Sequence, residues 1–401
     1  MMKIKSRPED FVVEEFLDLP EFCPTGEYVI YRLRKRGLST LDVINQLVRK
    51  YRIKDKEISF AGLKDKHALT CQYLSIRGNR NEAIKEKSLI LTPLGRAERP
   101  IAPDLLFKNR FKITLRSLEK ALIPKLVSEL HRVSKYGFPN YFGEQRFGSV
   151  KHGGLFLAKC LTQGNFEEAL KIYLAQWSSE DRPGIKRFKK IVSRHWGNWE
   201  QCLNSAPPSN ERIILAYLRD HPRDFVRALN LVDRRMLFIY FAAYQSYLWN
   251  EMASEFLKIK LSRERLIKFH YSAGEMVFYE ELSVELLKEF QRTQIPLVDH
   301  KVEFSKEKMK DIAEMIIQRE GVGISCFRLE KIRKAFFKSV PRDLIVFPDG
   351  LEIDGPAPDE VYPDKFKLTL SFFLPPGSYA TVLLRRIGQM GPREEPGFGI
   401  G

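Results

Sequence analysis

The chain has 401 residues, 67 Lys and Arg against 51 Asp and Glu, a formal net charge of +16 and 44% hydrophobic residues. At roughly 150 residues per domain this predicts two or three globular domains and excludes a disordered, collagen-like or mucin-like chain. The positive excess attracts polyanions, so RNA, DNA or an anionic membrane are the partners to expect.

Met1 to Phe16 mixes charges with isolated apolar residues and has no signal-peptide core, and the most apolar run, Leu237 to Tyr244, is far too short to span a bilayer. Five cysteines (Cys23, Cys71, Cys160, Cys202, Cys326) stand singly, as suits a reducing compartment, and the expected location is cytoplasmic. The histidines are equally dispersed, so no metal site is expected. Tyr28 to Leu33 reads as a strand, and Thr40 as the cap of a helix with Leu41, Ile44, Leu47 and Val48 at helical spacing. Strands over Ile58 to Ala61 and Gln72 to Ile76 flank a Gly-Leu-Lys-Asp-Lys loop. Phe111, Ile113 and Leu115 alternate as a half-buried strand. Leu118, Leu122, Leu126, Leu130 and Val133 predict a helix that Gly137 and Pro139 end.

From about Gly154 to Gly321 the pattern is helical: Asn165 and Glu168 have capping-box spacing, and Met236 to Phe256 is a long apolar helix. Strand patterning returns at Leu344 to Phe347 and at Phe366, Leu368, Leu370 and Phe372, before a Leu374-Pro-Pro-Gly-Ser378 turn. An inserted helical domain is the economical explanation. Two basic clusters stand out, Arg49 to Lys56 and Arg182 to Lys190.

Three segments concentrate chemistry. In Phe60 to Gln72 a strand delivers Asp65 into a short loop between Lys64 and Lys66, cations that favour the ionised carboxylate and suit phosphate contacts. The plain alternative is an ordinary Asp in a turn. Pro139 to Gly148 holds three aromatics, two glycines, Arg146 and two amides, a composition that stacks and reads an unpaired base as readily as it plugs a core. Leu374 to Thr381 is a strand-to-helix turn. Phosphate-loop, dinucleotide, zinc-protease and nucleophile-elbow signatures are all missing from the sequence.

Gly62-Leu-Lys-Asp-Lys-His-Ala-Leu-Thr-Cys-Gln72 resembles the G-x-K-D-x-x-A-x-T-x-Q signature of the TruD family of pseudouridine synthases. Asn140 to Gly148, Lys5 to Glu15 and Leu374 to Thr381 resemble its other motifs in family order. The resemblance implies an α+β fold: a pseudouridine-synthase catalytic domain with a mixed, largely antiparallel sheet, residues 1–150 and 340–401, interrupted by a mainly helical insertion domain, residues 151–339. It implies isomerisation of uridine to pseudouridine in tRNA at position 13 of the D arm, without cofactor, metal, membrane or obligate protein partner. By the same resemblance Asp65 is the catalytic carboxylate and Lys5 the basic residue paired with it. Phe142 stacks on the base, Asn140 is a site amide, and Phe11 and Tyr379 border the pocket. Lys64, Lys66 and Arg146 are the expected RNA contacts. The insert is longer than in compact bacterial members, as in archaeal and eukaryotic ones. Two rival classes are a non-catalytic tRNA-binding or RNA-folding protein and a different base-modifying enzyme such as a methyltransferase. Intact Asp65, Lys5 and Asn140 disfavour the first, and the lack of a Gly-rich cofactor loop disfavours the second.

Overall fold

A computed structural model describes residues 2–150, 155–178, 181–262 and 266–388. His152 and the part of the expected catalytic segment beyond Gly388 lie outside the described residues. The chain forms two compact units divided at Phe138/Pro139 and Ile345/Val346.

The unit formed by residues 2–138 and 346–388 is built on a nine-stranded sheet. Its strands are β1 (Phe11–Leu17), β2 (Tyr28–Arg36), β3 (Ile58–Phe60), β4 (Leu69–Arg77), β5 (Ile84–Glu86), β6 (Leu89–Ala97), β7 (Leu106–Leu118), β8 (Asp349–Pro358) and β9 (Phe366–Leu374). The order is β8-β9-β7-β1-β4-β2-β6-β5, with β3 paired to β4. β1 runs parallel to β4 and the other pairings are antiparallel, so the sheet is mixed as expected. β9 lies after the interruption yet pairs with β7, Leu370 opposite Ile113.

Strand alternation sorts the side chains of β2: Tyr31, Leu33 and Lys35 point inward, while Arg32, Arg34 and Arg36 are exposed. Val43, Ile44 and Leu47 of α1 (Thr40–Tyr51) pack on Tyr31, Leu33, Leu74 and Leu91, each burial worth about 1.5–3 kcal/mol. The cap of α1 is Ser39, not Thr40. Ser39 Oγ accepts the Asp42 N–H and the Asp42 carboxylate accepts the Ser39 N–H, which closes a capping box and frees the Thr40 hydroxyl. The second helix, α2 (Ile123–Tyr136), begins later than its leucine spacing suggests. Leu118 ends β7, and Pro124 near the helix start sets the boundary, because proline suits a first turn whose N–H groups have no partner. Gly137 ends α2 at φ 68, where a Cβ would come within 2.9 Å of the Val346 carbonyl oxygen.

In the other unit the central element is α3 (Arg234–Lys260), capped by the Asp233 carboxylate on the Arg235 and Met236 N–H groups. It buries Leu237, Tyr244, Leu248, Trp249, Ala253 and Leu257, too many directions for an amphipathic surface helix. Asn165 precedes the Phe166–Ala175 helix, but its side chain makes no cap bond. The unit also contains a hairpin, Leu266–Tyr271 with Gly274–Tyr279, and a strand pair, Gln294–Pro296 with Pro341–Asp343. The expectation of a mainly helical insertion domain did not place these strands. Among the described residues no helix is long and apolar enough to cross a membrane.

Candidate active site

Asp65 sits on a loop that the sequence motif builds around itself. Gln72 of β4 donates from Nε2 to the Gly62 carbonyl, and the Lys64 N–H donates to Thr40 Oγ1. Thr40 Oγ1 in turn donates to Gln72 Oε1, closing a buried triangle between α1, the loop and β4. The Lys35 amine, 1% exposed, lies beneath and donates to the carbonyls of Leu38 and Asp65, each at 2.7 Å.

The amino-terminal segment brings Lys5 to this loop. Lys3 and Arg116 exchange backbone N–H···O bonds, and the Arg116 guanidinium holds the buried Asp10 and Asp359 carboxylates at 2.8 Å. The chain so fixed passes through Lys5 at φ 59, a left-handed conformation that costs a non-glycine residue about 1–2 kcal/mol. Lys5 Nζ lies 2.9 Å from Asp65 Oδ2 and 4.3 Å from the centre of the Phe11 ring. Phe11 is buried edge-on against Phe111. Lys5 therefore touches both Phe11 and Asp65, and the Lys5 and Asp65 side chains keep 17% and 22% exposure. The pair is reachable from solvent on a rigid support. The backbone carbonyl of half-buried Tyr379 accepts the Val382 N–H at the start of the Ala380–Gly388 helix.

Lys64 does not stand where a phosphate contact needs it. Its amine lies 2.6 Å from Glu15 Oε1, with side-chain exposures of 9% and 0%. Burial pushes the Glu15 carboxyl up, and the Lys64 charge opposes that shift. Lys64→Ala should therefore cost about 3–5 kcal/mol, because it strands a buried carboxylate. Replacing both partners with Leu and Met should restore most of the unfolding midpoint; an unchanged midpoint in Lys64→Ala would contradict the pair. Lys66 and His67 are exposed, which leaves Lys66 to carry the phosphate expectation in this loop.

Lys35 predicts a pH effect whose sign can be worked out. Burial pulls its ammonium down to about 8, while Asp65 pulls the other way. An unfolded Lys titrates near 10.4, so between pH 8 and that value the unfolded chain binds more protons and this group's contribution to stability rises with pH. Over the same range the cation under Asp65 is lost. Single-turnover rate should fall along a limb near pH 8 that Lys35→Met abolishes, while the unfolding midpoint does not fall with it. A flat wild-type rate from pH 7 to 9.5 would contradict this.

In the second unit the Asn140–Gly148 loop is clamped onto one face of α3. Ser246, Trp249 and Asn250 fall at i, i+3 and i+4 and so point the same way. Phe142 N–H donates to Asn250 Oδ1, and Asn250 Nδ2 donates back to the Phe142 carbonyl. Arg146 Nε donates to Ser246 Oγ. Tyr141 is a core residue, its hydroxyl donating to the Val277 carbonyl and accepting the Val277 N–H.

Phe142 is 4% exposed, edge-on to Trp249, with the Arg342 guanidinium 4.0 Å and the Arg146 guanidinium 5.5 Å from its ring centre. Arg342 also donates from Nε to the Asn140 carbonyl and from Nη2 to Asn140 Oδ1, both at 2.8 Å. Arg342 thus joins Asn140 to Phe142, and Arg146 meets the same Phe142 ring. Sequence reasoning missed Arg342, an isolated arginine in a short strand with no motif around it. It also missed Glu15 and Lys35, although each stands in phase with the inward apolar residues of its strand, Phe11 and Val13 in one case, Tyr31 and Leu33 in the other. Among the described residues no group of three or more His, Cys, Asp and Glu could hold a metal ion.

Comparison with known proteins agrees along the whole length. The family model described as tRNA pseudouridine synthase D (TruD) matches residues 1–387. The chain is 35% identical over 393 residues to the probable tRNA pseudouridine synthase D 1 of Methanococcus maripaludis, covering 96% of this chain and 99% of the other. It is 32% identical to the tRNA pseudouridine synthase D of Aquifex aeolicus, covering 96% and 98%. The crystal structure of the putative tRNA pseudouridine synthase D of Methanosarcina mazei superposes with a TM-score of 0.66 at 26% identity, over 96% of this chain and 93% of that one.

Proposed function

Because this chain belongs to the TruD family of tRNA pseudouridine synthases and isomerises uridine in tRNA, we propose that Asp65 is its catalytic carboxylate and that the target is uridine 13 of the D arm. The observation that most supports the assignment of Asp65 is its 2.9 Å pairing with Lys5 on a loop fixed from below by Lys35, Thr40 and Gln72. The reaction breaks the N1–C1′ bond, turns the uracil, forms the C5–C1′ bond and releases the C5 hydrogen as a proton while N1 gains one. A single carboxylate serves this chemistry either by covalent attack or by removing a ribose proton to give a glycal, and Lys5 holds one of its oxygens in place in both routes. The uridine must leave its stack first, which costs a few kcal/mol and calls for a ring to receive it.

In this reading Phe142 is that ring and Asn140 a base-reading amide, both oriented by Arg342, while Phe11 and Tyr379 border the pocket and Lys66 and Arg146 steer the backbone. The sheet-bearing unit is the catalytic domain and the helical unit the insertion domain. A tRNA carrying cytidine at position 13 tests the target. The expected result is pseudouridine at position 13 of the parent tRNA alone. Modification at another uridine of the variant tRNA would contradict it.

A further inference from the structure

The basic cluster from Arg182 to Lys190 has no role in the chemistry above, and its geometry is specific. It opens the Pro183–Arg194 helix, whose twelve residues include no acid. Phe188 and Val192 anchor the helix on its buried side. Lys189 turns to that side as well, where its amine donates to the Gln176 carbonyl. Lys186, Arg187, Lys190 and Arg194 share the opposite face, at i, i+1, i+4 and i+8, and line one shallow depression.

None of these four has an acidic partner among the described residues. Two exposed cations elsewhere in the same unit do: Arg219 pairs with Asp220, and Lys310 with Glu307. A face kept only for solubility mixes both signs, and this one does not. Lys186 also closes the first helical turn, where the helix dipole disfavours a cation, so helix stability does not account for it. Lys186 and Lys190 rest over the Trp177 ring, 5.0 and 4.4 Å from its centre. A ring face orders an ammonium without neutralising it.

We propose that the face bearing Lys186, Arg187, Lys190 and Arg194 binds the phosphate backbone of the tRNA substrate, as a contact separate from the residues that handle the uridine. Lys186 to Arg194 spans about 12 Å of helix, long enough to meet more than one phosphate of the same backbone. The inference rests on the reading of the chain as a tRNA-modifying enzyme and adds to it a surface set by charge alone. Such a surface contributes affinity without reading sequence.

The test is a full-length variant with all four residues changed to Gln, titrated with unmodified tRNA between 50 and 200 mM salt. The slope of log affinity against log salt should become shallower by about 3, because each lost phosphate contact releases about 0.7–0.9 fewer counterions. Affinity near 100 mM salt should fall at least tenfold, with turnover at saturating tRNA within twofold of the parent. Lys186→Arg with Lys190→Arg, which keeps the charge, should keep the parent slope. If the fourfold variant melts early, Lys190→Gln with Arg194→Gln should still shift the slope by about 1.5. An unchanged slope in a folded variant overturns the proposal, as does lost binding to phosphatidylserine vesicles with an unaltered tRNA slope. Failure of the parent protein to form pseudouridine would instead overturn the enzymatic reading and leave the slope result standing.

Discussion

Asp65→Asn is expected to reduce pseudouridine formation by on the order of 10⁴-fold or more while tRNA affinity changes less than tenfold. The substitution keeps the size of the side chain and one of its acceptor oxygens but removes the charge that either route requires. It should leave the fold intact. Lys5 and Asp65 are both partly exposed, and a pair in that setting contributes no more than about 1 kcal/mol. The loop itself hangs on backbone contacts from Lys35, Thr40 and Gln72, none of which uses the Asp65 carboxylate. Appreciable turnover by a correctly folded Asp65→Asn would remove Asp65 from the mechanism.

The largest effect on stability is expected at Phe142. Removing a ring enclosed by Trp249, Arg342 and Arg146 should cost roughly 3–5 kcal/mol in Phe142→Ala, so a loss of activity in that variant would by itself say little about stacking. Phe142→Leu separates the two roles. It keeps most of the buried volume, and its cost should stay under about 1.5 kcal/mol. If the uracil stacks on the ring, single-turnover rate should still drop by the value of one stacking contact, about 1–3 kcal/mol or roughly 5- to 150-fold. Melting and rate measured on the same preparation decide the matter: near-parent melting with a slowed rate supports stacking, and near-parent rate assigns Phe142 to the core.

How much of this was legible in the sequence follows from the range of the forces involved. β7 could be read from alternation and α1 from its apolar spacing, while β2 could be read only as a run of strand-forming residues, because Val29, Ile30 and Tyr31 are all buried. The cap of α1 went to Ser39 rather than Thr40 because two adjacent hydroxyls compete for one role. The winner depends on Gln72 and Lys64, which need Thr40 for the loop and lie more than twenty residues away. Leu118 continues a helical leucine spacing but belongs to β7, where pairing with Phe366 of β9 overrides local periodicity.

The Asp65 loop carried its own signature, and the structure gives several of its letters a physical task. Gln72 holds Gly62, Lys64 neutralises Glu15, and Asp65 meets Lys5. Reading Lys64 as a phosphate ligand failed for lack of one observation, the inward phase of Glu15 on β1. Arg342 could not be found that way. It reaches Asn140 across some two hundred residues, and no local pattern encodes a contact of that separation.

The most direct measurement of the central claim follows the C5 hydrogen. Unmodified tRNA carrying tritium at C5 of its uridines is incubated with the purified chain and with Asp65→Asn side by side, and the tritium released to water is counted while the modified position is mapped. The expected result is release of one tritium per tRNA with pseudouridine appearing at position 13, and none with Asp65→Asn. Release at an equal rate from both proteins, or none from either while tRNA is bound, would contradict it.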